Sequence, residues 1–350
     1  MSAASLEMPF QPIRTPLYSS QELMAGFDKT VPTSAAETMD FRTYRYYFAN
    51  GESNAKDPYV SMMEALHDNS ILRAMNAFLT QTKKPAVAIM GGHNERRDSQ
   101  SFADVAEISR RLTRKGCLVA SGGGPGAMEA THLGALLAPA DDAELDAAIQ
   151  LLKTQPVLPA TRGVVSRRGV VNRDEILQLH AWIKPAFQIS EKYCGQGGVS
   201  LAVPTWYYGS EPTSPLATHV AKYFQNSIRE DVLLSMAANG IIFTPGEAGT
   251  VQEIFQHATQ VYYRAADKPL TPLIFFGKEF WTNKLPIEPL LRSLFVNVGK
   301  VPAQAFDSTV VVVDTVDAAV RKLLEHTPTN DKTADRMMSL GLDSVSKSDA

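Results

Sequence analysis

The stretch GIIFTPGEAGTVQE, residues 240–253, decides how the chain is read. A short apolar run breaks at Pro245-Gly246, passes Gly249-Thr250 and enters a polar segment that reaches Glu253. That order predicts a strand, a tight loop and a helix start. The first N–H groups of a helix lack intrahelical acceptors and its dipole is positive there, so the junction suits an anion such as a phosphate. With the loop tied down at Thr250, Glu253 falls about one turn into the helix and can face back toward the same ligand.

Residues 117–129, CLVASGGGPGAME, repeat the design: an apolar strand runs through Gly122, Gly123, Gly124 and Gly126 into a helix beginning near Ala127. Two such helix starts point to one phosphorylated ligand. Glycines at these positions also serve simply to turn a strand tightly into a helix. The spacing Gly122-x-Gly124-x-x-Ala127 fits the loose dinucleotide fingerprint, which calls for an acidic ribose ligand about 20 residues on, at the end of a second strand. Asp141 and Asp142 lie near that distance but inside an Ala/Pro/Asp loop, which disfavours a dinucleotide-dependent oxidoreductase.

The chain has 350 residues, 44% of them hydrophobic and 20% charged, enough to bury a full core as one large domain or two modest ones. Its net charge of -3 and pI near 6.2 give no basic footprint for a nucleic acid polymer. No apolar run approaches the ~20 residues that span a membrane, and the N-terminal stretch lacks the pattern of a signal peptide, so the expected compartment is the cytoplasm. Cys117 and Cys194 supply neither a disulfide framework nor a zinc spacing. The histidines show no metal-ligand pairing, so neither a catalytic metal nor another cofactor is expected.

Apolar runs at PAVAIM (85–90), CLVAS (117–121), VSLAVP (199–204), GIIFT (240–244), PLIFF (272–276) and TVVVVD (309–314) alternate with amphipathic segments. The pattern predicts an α/β fold, a doubly wound Rossmann-like parallel sheet with helices on both faces. Residues 1–80 read as a mainly helical N-terminal extension and 81–327 as the nucleotide-binding catalytic domain. Within that domain, about 138–198 form an insertion that could act as a lid, and 328–350 form a flexible tail.

With both loops in place, residues 85 to 325 resemble the Lonely Guy (LOG) family, whose members often carry the label of lysine decarboxylases, and its larger nucleotide 5'-monophosphate nucleosidase relatives. The resemblance rests on GGGxxGxM, here Gly122 to Met128, and on PGGxGTxxE, here Pro245 to Glu253. It implies a dimeric Rossmann-like protein that hydrolyses the N-glycosidic bond of a nucleoside monophosphate to free base and ribose 5-phosphate. Glu253 and Arg229 are then the catalytic candidates, with Gly122, Gly123, Gly124, Gly126, Met128, Gly246, Gly249 and Thr250 around the substrate. A carboxylate suits the oxocarbenium-like sugar of such a reaction, and an arginine suits the phosphate or the departing base.

Glu247 replaces the family's second glycine, Glu230 replaces a lysine after Arg229, and Gly91-Gly92-His93 stands where Gly-Ser is usual. An inward Glu247 would repel phosphate, which keeps a weakly catalytic or non-catalytic nucleotide-binding regulator as the alternative. Asn94, Arg96 and Arg97 follow the first strand, at the sheet end where such folds bind ligands, and are candidate phosphate or base contacts. Trp206 or Tyr208 in PTWYYGSEP are candidates to stack a base, beside an acid for its edge, with packing under a neighbouring loop the equal alternative. Arg167, Arg168 and Arg173 are candidates to close over the phosphate from the insertion.

Overall fold

Each predicted apolar run becomes a strand in the computed structural model, which describes residues 8–55, 57–263, 270–299 and 301–325. The strands are β1 (Ala86–Met90), β2 (Leu118–Ser121), β3 (Ser200–Ala202), β4 (His219–Val220), β5 (Ile241–Phe243), β6 (Leu273–Phe276) and β7 (Val310–Val313). They form one seven-stranded sheet in the order β4-β3-β2-β1-β5-β6-β7, every pairing parallel. β4, only two residues long, has no signal of its own in the sequence.

Parallel strands between helical layers are buried on both faces, and the side chains alternate accordingly. Ala86, Ala88 and Met90 of β1 join one core cluster, while Val87 and Ile89 join the other. Ile241 and Phe243 of β5 likewise face away from Ile242.

The helices are α1 (Ser20–Leu23), α2 (Met39–Asn50), α3 (Pro58–Thr82), α4 (Gln100–Arg114), α5 (Ala127–Leu136), α6 (Asp142–Leu152), α7 (Arg173–Tyr193), α8 (Asn226–Met236), α9 (Ala248–Tyr262), α10 (Glu288–Arg292), α11 (Ala303–Thr309) and α12 (Val316–Glu325). One face of the sheet carries α4, α5 and α12 through Phe102, Ile108, Leu133 and Leu323. The other takes Leu233 of α8, Ile254 of α9 and the N-terminal Tyr18, Phe41, Tyr47 and Ile71.

The N-terminal segment is tied to the sheet edge by backbone and by buried charge. Tyr18 and Val220 exchange backbone hydrogen bonds of 3.0 and 2.8 Å in an antiparallel bridge. The Asp40 carboxylate accepts from Trp206 Nε1 at 3.0 Å, the Thr213 backbone N–H at 3.2 Å and Lys222 Nζ at 2.6 Å. Asp68, buried in α3, accepts the N–H groups of Phe224 and Gln225, each at 2.9 Å, just before α8 begins. Donors of this kind offset the desolvation of a buried carboxylate.

The stretch read as a lid contains α6 and α7. Asp141 is the N-cap of α6, where its side chain accepts the Glu144 N–H, so it serves the helix start and not a ribose. Among the described residues no helix is long and apolar enough to cross a membrane. The segment 328–350 lies outside the described residues.

Candidate functional site

A cavity of about 250 Å³ opens where β1, β2, β3 and β5 end, lined by Gly91, Gly122, Gly124, Pro204, Glu253 and neighbours from the loops between them. Chain order reverses in the sheet between β1 and β5, and a doubly wound fold leaves a crevice at that switch point. The loop after β5 turns into α9, whose N-cap Glu247 makes no side-chain cap bond. The first N–H groups of α9 therefore lack a side-chain cap, and Ala248, Gly249 and Thr250 at this helix start line the cavity. A Cβ built on Gly249 meets nothing within 4 Å, so this helix start is open to a ligand.

The start of α5 is different. Ala127 donates its N–H to the Gly92 carbonyl at 3.2 Å, and the Met128 thioether lies over the loop, its Sδ 2.7 Å from a Cβ position on Gly122. Gly126 has φ +70°, and a Cβ there would stand 2.4 Å from the Gly92 carbonyl oxygen. Its glycine is required by the close approach of the loops after β1 and β2.

Glu253 lies one turn into α9 with its side chain 15% exposed, and Arg229 of α8 places Nη1 3.9 Å from Glu253 Oε1. Burial pushes the Glu253 carboxyl up to about 7, opposed by Arg229 and reinforced by Glu230. Glu230 accepts from Asn226 Nδ2 at 2.8 Å and from Gln252 Nε2, which holds it at the cavity wall. Arg229 stands 5.8 Å from the centroid of the Tyr208 ring, and its Nε is buried without a hydrogen-bond acceptor.

Opposite them lies Glu211, whose carboxyl burial also raises while His93, Arg229 and Arg162 pull it back. His93 Nε2 is 3.9 Å from Glu211 Oε1. Glu247 turns to the cavity rim, where Oε1 accepts from Asn94 Nδ2 at 3.1 Å.

Of the residues singled out in the sequence, Glu253, Arg229, Gly122, Gly124, Met128, Gly249 and Thr250 line this cavity. Gly123, Gly126 and Gly246 shape its loops: Gly123 has φ +75° against Ala202, and Gly246 sits under the Thr250 hydroxyl. Asn94 reaches the rim only through Glu247, and Arg96 pairs with Asp98 at 2.6 Å away from the lining.

Arg97 is no ligand contact. Its guanidinium is buried, makes two 2.6 Å bonds to Glu129 and stacks 3.7 Å from the Trp182 ring centroid, so it pins α7 to α5. Trp206 is fully buried against Asp40; of the two exposed rings beside it, Tyr207 and Tyr208, Tyr208 lines the cavity. Arg167 pairs with Glu52 at 2.9 Å, and neither it, Arg168 nor Arg173 lines the cavity.

Residues 188–323 match the model of the family described as "Possible lysine decarboxylase", a LOG-type domain. That stretch is therefore similar to a LOG-family domain. Matched residues of that domain supply Pro204 to Thr213, Arg229 and the whole α9 start, whereas Gly91, Gly122 and Met128 come from upstream. Among solved structures the chain is similar to the molybdenum cofactor binding protein from the phototrophic bacterium Rippkaea orientalis. The two share 11% identity over 69% of this chain and 96% of that one, with a TM-score of 0.36. No curated protein matches the chain.

Proposed function

We propose that this cavity hydrolyses the N-glycosidic bond of a nucleoside 5'-monophosphate, releasing free base and ribose 5-phosphate. The observation that carries the proposal is Glu253: a buried carboxyl pushed up to about 7, beside Arg229 and one turn from an open helix start. The N–H groups at Gly249 and Thr250 would hold the phosphate, since the α5 start is partly used by Gly92 and covered by Met128. The ribose would then lie toward Glu253.

A carboxyl with a pKa near 7 is partly ionised at neutral pH; its negative charge favours an oxocarbenium-like sugar, and it can then take a proton from the attacking water. Water oxygen adds to C1' as the C1'–N bond breaks. The water proton goes to Glu253, and the departing base leaves with the bond electrons and takes up a proton from solvent, to which Glu253 then returns its own. Arg229 would balance charge on the phosphate side or on the base. Among the described residues no lysine lines the cavity, so nothing there favours decarboxylation through a cofactor Schiff base.

A second reading, nucleotide binding with little turnover, is favoured by Glu247 at the mouth of the phosphate site. Its carboxylate would repel a phosphate unless it stays drawn aside on Asn94. The deciding experiment measures release of base and ribose 5-phosphate from purine, pyrimidine and cytokinin nucleoside monophosphates by the wild type and Glu253→Gln. Turnover abolished in the variant supports the hydrolase. Binding without turnover by the wild type selects the regulator.

A further inference from the structure

Glu211 lines the same cavity as the Glu253–Arg229 pair but has no place in the hydrolytic step. Its backbone N–H bonds to Tyr208 O at 2.9 Å, and its Oε2 would lie 3.7 Å from a Cβ on Gly124, so the carboxyl hangs over the first glycine loop. The Asp40 clamp on Trp206 and Thr213 holds the segment on both sides of it. A phosphate on that loop would meet this carboxylate at close range, so the first loop suits an uncharged ligand part. Tyr208 and Met128 add apolar surface to the same wall, as a base plane requires.

We propose that Glu211 is the specificity residue of the site and reads the edge of the nucleobase. The assignment rests on the nucleotide reading above. An ionised carboxylate only accepts hydrogen bonds and offers two oxygens side by side. Guanine answers that geometry with its N1–H and 2-amino donors, whereas hypoxanthine keeps the N1–H alone. The site therefore prefers a base with two adjacent N–H donors. Burial raises the Glu211 carboxyl, while the charges of His93, 3.9 Å away, and of Arg229 and Arg162 oppose that rise and favour its accepting form.

The test compares binding of GMP, IMP and ribose 5-phosphate by calorimetry in Glu253→Gln, with and without Glu211→Gln. The single variant is expected to bind GMP at least tenfold tighter than IMP, because a site that bonds a substrate N–H discriminates against the analogue lacking it. Adding Glu211→Gln should erase that preference while ribose 5-phosphate affinity stays within twofold. Glu211→Asp, which retains the charge and withdraws it by one methylene, should erase it as well, with circular dichroism confirming the fold. Equal binding of GMP and IMP in the single variant, or a preference that survives loss of Glu211, overturns the assignment. If neither nucleotide binds, both this proposal and the nucleotide reading fail. If the wild type releases no base while the GMP preference follows Glu211, the hydrolase alone fails.

Discussion

Glu253→Gln should make the protein more stable at pH 8 and almost no more stable at pH 4. The Glu253 carboxyl has an ordinary value of 4.5 in the unfolded chain and is pushed up to about 7 in the fold. Below pH 4.5 it is protonated in both states and contributes no difference. As pH rises, the unfolded chain loses that proton first, so the wild type is progressively destabilised until the folded carboxyl also ionises near pH 7. The gap is about 2.5 pH units, and at ~1.4 kcal/mol per unit it amounts to about 3 kcal/mol above pH 7. With 15% of the side chain exposed, solvent should reduce that figure somewhat.

Glutamine carries the neutral shape at every pH and escapes the penalty. Urea denaturation of wild type and variant at pH 4, 6 and 8 reads the difference directly. A variant equal to or weaker than the wild type at pH 8, or a gap that does not grow between pH 4.5 and 7, would refute the argument that desolvation dominates at this carboxyl.

Gly249→Ala should fold normally, because the position is open and lies in a helix, yet raise the Kd for ribose 5-phosphate, since the new methyl enters the space at the helix start. Gly126→Ala should instead lower the unfolding free energy by about 2 kcal/mol or more, as its φ is +70° and its Cβ meets the Gly92 carbonyl; chemical denaturation checks both variants. Lys222→Met leaves the Asp40 carboxylate buried without its cation and should cost about 3–5 kcal/mol by the same measurement, while Lys222→Met with Asp40→Asn should recover part of it.

The two strand–loop–helix junctions were legible in the sequence because each is local: an apolar run, glycines and a helix start lie within 14 residues at 240–253. That Glu253 and Arg229 line the cavity was legible for the same reason, one lying on the junction and one on the helix before it. Arg97 was misread because a basic residue in a loop looks solvated until its partner is known, and Glu129 and Trp182 lie 32 and 85 positions away. Trp206 could be read either as stacking a base or as packing under a loop, and the choice is made by Asp40, 166 positions distant. Glu211 was visible as an acid near aromatics, but its approach to His93 and the first glycine loop depends on contacts closed through the N-terminal helices. Short-range pattern carries secondary structure, whereas burial of a charge is decided by partners that only the folded chain brings near.

The seven-strand order has a consequence for how such a domain can be inherited. Residues 188–323, the span matched by the family model, contain β3 to β7 but neither β1 nor β2. Those two missing strands occupy the middle of the sheet, between β3 and β5. Cut out as a cassette, the matched span would be two separate ribbons, β4-β3 and β5-β6-β7, with no strand to join them and half a cavity on each. Recombination can therefore exchange loops and terminal additions around this architecture, but it cannot pass the recognisable half from one gene to another without its centre.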